Sequence, residues 1–140
     1  MRMLSSPELA SEPTLTVSDV AEAAGIKNSA VRFYDDNGLL ASVRTAGNQR
    51  RFYRIDACLV KIIRVAGRAG LSVAEIRALM ADLPARRGDV TVADFARLRA
   101  RLEADVRERI AALTNVLDDL VSTQKLCDVP TGAARTSARR

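Results

Sequence analysis

From Val17 onward, apolar residues recur at helical intervals, and glycine, asparagine and proline interrupt them at regular stops. Thr16 or Ser18 precedes the stripe Val17, Val20, Ala21 and Ala24, which predicts a helix about two turns long ended by Gly25 in a left-handed conformation. Asn28 or Ser29 opens a second short helix bearing Ala30, Val31, Phe33 and Tyr34, closed by Asn37-Gly38. Two short helices separated by a glycine turn predict a helix-turn-helix. Leu39, Leu40 and Val43 then lead into Thr45-Ala46-Gly47-Asn48, followed by Arg50-Arg51-Phe52-Tyr53-Arg54, which reads as a β-hairpin with guanidinium groups along one arm, a wing. Ile55, Cys58, Leu59, Ile62, Ile63 and Ala66 form the inner face of a third helix that ends near Gly67 or Gly70. Ser72 caps a fourth, with Val73, Ile76, Leu79, Met80 and Leu83 facing inward and Pro84 stopping it.

A polar linker is expected at 86–90, and residues 91–127 lack both glycine and proline. Phe95, Leu98, Leu102, Val106, Ile110, Leu113, Leu117 and Leu120 are spaced by threes and fours, a coiled-coil stripe with one phase slip. A domain over 14–85 is too small to bury a helix of that length, so the stripe predicts a dimer interface with a second copy of the chain. Arg99 with Glu103, Arg101 with Asp105, Glu103 with Arg107, and Asp105 with Arg109 are i, i+4 pairs that mark a solvated flank. Residues 1–13 and 128–140 carry no apolar stripe and are expected to be a disordered arm and a disordered basic tail.

Charge sharpens this picture. The 140-residue chain has a formal net charge of +5, and the excess is local. Residues 14–41 are net acidic, whereas 42–70 hold Arg44, Arg50, Arg51, Arg54, Lys61, Arg64 and Arg68 against Asp56 alone. Such concentration points to a polyanionic partner. The chain contains no His and only two Cys, and no nucleophile, base and orienter set is visible, so the expectation is a protein that is not an enzyme and holds no metal. No apolar run approaches the ~20 residues needed to cross a bilayer, and no export signal is visible, which predicts a cytoplasmic protein without membrane contact.

Two segments carry a specific resemblance. Val31-Arg32-Phe33-Tyr34-Asp35-Asp36-Asn37-Gly38-Leu39-Leu40 is similar to the R-x-Y-[DE]-x-x-G-L-[IL] signature of the MerR family of bacterial transcription regulators, and Val43-Arg44-Thr45-Ala46-Gly47-Asn48-Gln49-Arg50-Arg51-Phe52 resembles the wing of its SoxR branch. The resemblance implies a mainly α fold, a winged helix-turn-helix followed by a dimerisation helix in an antiparallel coiled coil. It implies a homodimer on a pseudo-palindromic promoter, distorting double-stranded DNA so that RNA polymerase can use it. The second helix would then place Asn28, Ser29 and Arg32 nearest the bases, with Arg32 able to make a bidentate contact to guanine. Phe33 is expected to pack inward. Tyr34 resembles the family tyrosine that bonds a phosphate, with a plain core role as the alternative. Arg50, Arg51, Tyr53 and Arg54 read as wing clamps on backbone and minor groove, and Lys61, Arg64 and Arg68 as further phosphate candidates.

The C-terminus departs from the SoxR pattern. That branch holds a [2Fe-2S] cluster through four Cys in a C-x-x-C-x-C-x5-C run, whereas Leu120 to Pro130 offers Cys127 alone, so no cofactor is expected. Cys127, close to Lys125, is either a thiol sensor or an unreactive residue at a helix end. Cys58 is expected to be buried and inert. A coiled-coil protein-interaction module without sequence-specific DNA binding is the competing reading of the whole chain.

Overall fold

The computed structural model of the chain describes residues 12–122. Its elements are α1 (Val17–Ala24), α2 (Asn28–Asp36), β1 (Val43–Arg44), β2 (Arg50–Arg51), α3 (Arg54–Arg68), α4 (Val73–Met80), a 3-10 turn (Arg87–Asp89) and α5 (Val92–Val121). Two compact units emerge, one running through Leu102 and the other beginning at Glu103.

Local signals start most helices. Thr16 Oγ1 accepts from the Asp19 amide at 3.1 Å while Asp19 Oδ2 accepts from the Thr16 amide at 2.9 Å, a reciprocal cap on α1. Ser72 and Glu75 do the same for α4, and Thr91 and Asp94 for α5. Gly25 stops α1 at φ +69°, a left-handed conformation that costs glycine nothing, and the Ile26 amide then bonds Ala21 O at 3.0 Å. The start of α2 differs from expectation. Lys27 is its N-cap and supplies no side-chain bond, since an ammonium cannot accept from a backbone amide, and Asn28 Nδ2 donates to Ser18 Oγ at 3.1 Å, tying the two helix starts together.

The wing is short. β1 and β2 pair antiparallel, Val43 opposite Arg51 and Arg44 opposite Arg50. Between them the Asn48 amide bonds Thr45 O at 2.8 Å, and Asn48 takes φ +60°, which asparagine tolerates better than most residues. At the wing root Leu15 bridges Phe52 through two backbone bonds of 2.9 and 2.7 Å.

The core of the first unit gathers Val20, Val31, Leu39, Phe52, Ile55, Leu59, Val60, Ile63, Ala66, Ile76 and Leu79. Helix α3 is buried on a wider face than its spacing suggests: Val60 is fully covered, while Cys58, placed inside by the pattern, is half-buried. The stretch 86–90 is not a loose link. Arg87 and Val90 are buried and the 3-10 turn packs on α3. Leu98 and Leu102, on the first turns of α5, are also buried within this unit. In the second unit α5 continues with Ile110, Leu113, Leu117 and Leu120 all exposed. Residues 123–127, which complete the expected dimer segment, lie outside the described residues, as do residues 1–11 and the tail at 128–140.

Candidate nucleic-acid interface

The helix-turn-helix presents α2 through restraints at both ends. Val31 is fully buried beneath it. At its C-terminus Arg77, from α4, donates Nε and Nη2 to Asn37 O at 3.1 and 2.8 Å, and Asn37 Nδ2 donates to Phe33 O at 2.8 Å. Asn28, Ser29 and Arg32 stand exposed on the outward side. The first turn of α2 has no side-chain cap, and Lys27 is exposed beside it. Lys27 was not singled out by the sequence pattern, although a cation directly before this helix is a legible signal.

One of the two neighbouring aromatics departs from its expected place. Phe33 is 50% exposed rather than packed inward, and Tyr34 is half-buried, its ring edge-on to Phe33 at 6.0 Å between centroids. The reason is angular: at 100° per residue, Phe33 lies on the side of α2 opposite the buried Val31.

The wing arginines divide into separate roles. Arg50 Nη1 lies 2.9 Å from Asp35 Oδ2 and 3.0 Å from Asp36 Oδ1, so its charge is met by carboxylates of α2. Asp35 also accepts from the Ser42 amide at 3.1 Å and from Ser42 Oγ at 2.6 Å. Arg50 therefore latches the wing to α2, rather than reaching outward as a clamp. Arg51 is half-buried and donates to Arg50 O at 2.9 Å. Arg54 is exposed at the start of α3, and Lys61, Arg64 and Arg68 are exposed farther along it, with Arg64 Nη1 touching Ala24 O at 3.4 Å.

Tyr53 requires a correction. Read as a wing clamp, it is only 4% exposed. Its ring is covered by the 3-10 turn, where a Cβ on Gly88 would fall 2.8 Å from Tyr53 Cε2, and the Arg86 guanidinium stacks over it at 5.5 Å. It supports the wing root and cannot reach a duplex.

Beneath that ring lies Asp56, fully buried. Asp56 Oδ2 accepts from the Tyr53 amide at 2.8 Å, and Oδ1 has no partner. Burial pushes its carboxyl up to about 7, opposed by the Tyr53 amide and by Arg87. Arg87 is buried in turn, its Nε unpartnered and its guanidinium pushed down by desolvation. Burial likewise raises the Cys58 thiol, against the pull of Lys61. Cys127 lies outside the described residues. Among the described residues no three His, Cys, Asp or Glu side chains gather to hold a metal ion, and no helix is long and apolar enough to cross a membrane.

The expected dimer stripe is split by the fold. Leu98 and Leu102 are buried inside the chain, Phe95 and Val106 are half-buried, and Ile110, Leu113, Leu117 and Leu120 are exposed.

Comparison with known proteins fits this arrangement. Residues 15–83 match the MerR helix-turn-helix family of regulatory proteins, and residues 59–123 match the MerR DNA-binding family. The chain is 40% identical over 111 residues to a SoxR homolog, a helix-turn-helix transcriptional activator of Chromobacterium violaceum, covering 79% of this chain and 74% of that protein. The chain belongs to the MerR family. It is thus a DNA-binding transcription regulator, and the mercuric resistance operon regulatory protein of Shigella flexneri is a further MerR relative, 36% identical over 76% of this chain and 74% of that protein. The fold is shared with a MerR-family regulator structure from Listeria monocytogenes at a TM-score of 0.50 and 24% identity, covering 76% of this chain and 80% of that one.

Proposed function

We propose that two copies of this chain bind a twofold-related promoter site, each inserting α2 into a major groove and resting its wing on the adjacent backbone, and that they distort the duplex to control its use by RNA polymerase. The observation that carries this reading is the exposed face of α2, with Asn28, Ser29 and Arg32 outward and the wing fastened beside it through Arg50 and Asp35. Arg32 is the base reader, since its planar fork suits guanine O6 and N7. Lys27, Arg51, Arg54, Lys61, Arg64 and Arg68 hold phosphates and set register. The bare apolar positions Ile110, Leu113, Leu117 and Leu120 pair with their equivalents in a second copy. Bending or untwisting a site of this length takes several kcal/mol, which two anchored half-sites can supply.

Duplex selection from a random pool tests the proposal. A symmetric consensus is expected, with affinity falling about a thousandfold or more between 50 and 200 mM salt. Arg32→Ala should weaken binding to the consensus by about 1–3 kcal/mol while leaving random duplex nearly unaffected. Recovery of no consensus, or an Arg32→Ala variant with unchanged preference, overturns it in favour of a protein-interaction role.

A further inference from the structure

Phe33 is a large apolar side chain left half-exposed in the middle of a polar surface. On α2 it follows Ser29 by one turn and adjoins Arg32, and Asp36 lies three residues, just under one turn, beyond it. Its neighbours along the same face of α2, Ser29, Arg32 and Asp36, are polar and exposed. Leaving a phenyl ring in water is unfavourable, and Val31 already supplies the buried anchor on the opposite side of the helix. The ring is nevertheless held in a defined pose, since Tyr34 meets it edge to face at 6.0 Å with the planes at 66°. A pre-set aromatic among hydrogen-bonding neighbours is suited to a partner that is polar almost everywhere and apolar at one point. The major groove is such a surface: its base edges carry donors and acceptors, and its one apolar group is the C5 methyl of thymine.

We propose that Phe33 reads a thymine in each half-site by packing against its C5 methyl, next to the base contacted by Arg32. This rests on α2 being the groove-facing helix, and it adds an apolar determinant to the hydrogen-bonding one. The ring contributes discrimination between thymine and the other bases, not attraction to the backbone.

Deoxyuridine provides the test, because it keeps thymine's hydrogen-bonding edge and lacks only the methyl. In a selected consensus duplex, each thymine is replaced in turn by deoxyuridine, symmetrically in both half-sites, and affinity is measured for the full-length chain, Phe33→Ala and Phe33→Leu. The wild type is expected to lose about fourfold per half-site at one thymine position and nothing elsewhere, the loss that goes with ~0.8 kcal/mol for a buried methyl-sized group. Phe33→Ala should bind thymine and uracil duplexes equally at that position, and Phe33→Leu should retain part of the preference. Because the side chain is exposed, all three should melt at closely similar temperatures. If no thymine is methyl-sensitive, or if Phe33→Ala keeps the sensitivity, the assignment is wrong while duplex binding stands. If the wild type binds no duplex, both this assignment and the reading of α2 fall together.

Discussion

Asp56 sits at the start of α3 with one oxygen held by the Tyr53 amide and the other unpaired, in a place water does not reach. The folded chain keeps its proton up to about pH 7, whereas the unfolded chain releases it near 3.8. Between those values the unfolded state binds fewer protons, so this group makes stability fall as pH rises from about 4 to about 7 and level off above that. With each pKa unit equal to ~1.4 kcal/mol, the decline is of order 4 kcal/mol. Urea denaturation from pH 5 to pH 8 should show the decline in the wild type and a nearly flat profile in Asp56→Asn. Asp19 and Asp94, whose carboxyls are held below the usual range chiefly by the backbone amides of Thr16 and Thr91, act in the opposite sense and at lower pH. None of this was legible from the sequence, because an acidic residue in a first helical turn reads as an ordinary capping group. Its burial depends on Tyr53 and on a turn far along the chain. Phe33 is a different case. The interval from Val31 already places it outward, whereas its aromatic side chain taken alone points to the core.

At the level of elements, the helices were legible because the spacing of apolar residues and the stops at Gly25 and Asn37 agree with each other, although α4 ends at Met80, short of the expected stop at Pro84. The 3-10 turn at Arg87–Asp89 was not. Arg-Gly-Asp has no apolar rhythm and resembles a solvated link, yet Gly88 lies against the Tyr53 ring and the next residue but one, Val90, is buried. The absence of a side chain at Gly88 is what permits that approach. Gly88→Ala should place a methyl 2.8 Å from Tyr53 Cε2 and destabilise the fold by about 1–3 kcal/mol, measured as a lowered urea midpoint with an unchanged slope. The wing was legible as a hairpin from its turn residues, but the direction of its arginines was not. Asp35 and Asp36 read as part of a family signature, and only the folded geometry brings them to Arg50.

On the scale of the whole molecule, the apolar stripe of α5 was legible as one continuous pattern, although its early positions are buried and its later ones exposed. Threes and fours look the same whether a stripe packs on its own domain, as at Leu98 and Leu102, or stays bare, as at Ile110, Leu113, Leu117 and Leu120. Substitutions that break the proposed dimer therefore belong beyond Val106. Replacing Leu113 and Leu117 together by Asp should give a monomer in sedimentation equilibrium, with the first unit still folded and affinity for a symmetric duplex sharply reduced; replacing Leu98 should unfold the first unit instead. The Arg50 latch bears on how such a dimer responds to its ionic surroundings. Each phosphate neutralised by a protein cation releases condensed counterions, which steepens the logarithmic salt dependence by about 0.9. Arg50, already neutralised by Asp35, displaces no such ions, so Arg50→Gln should leave that slope unchanged even where it loosens the wing, whereas the same replacement at the exposed Lys61 should reduce it.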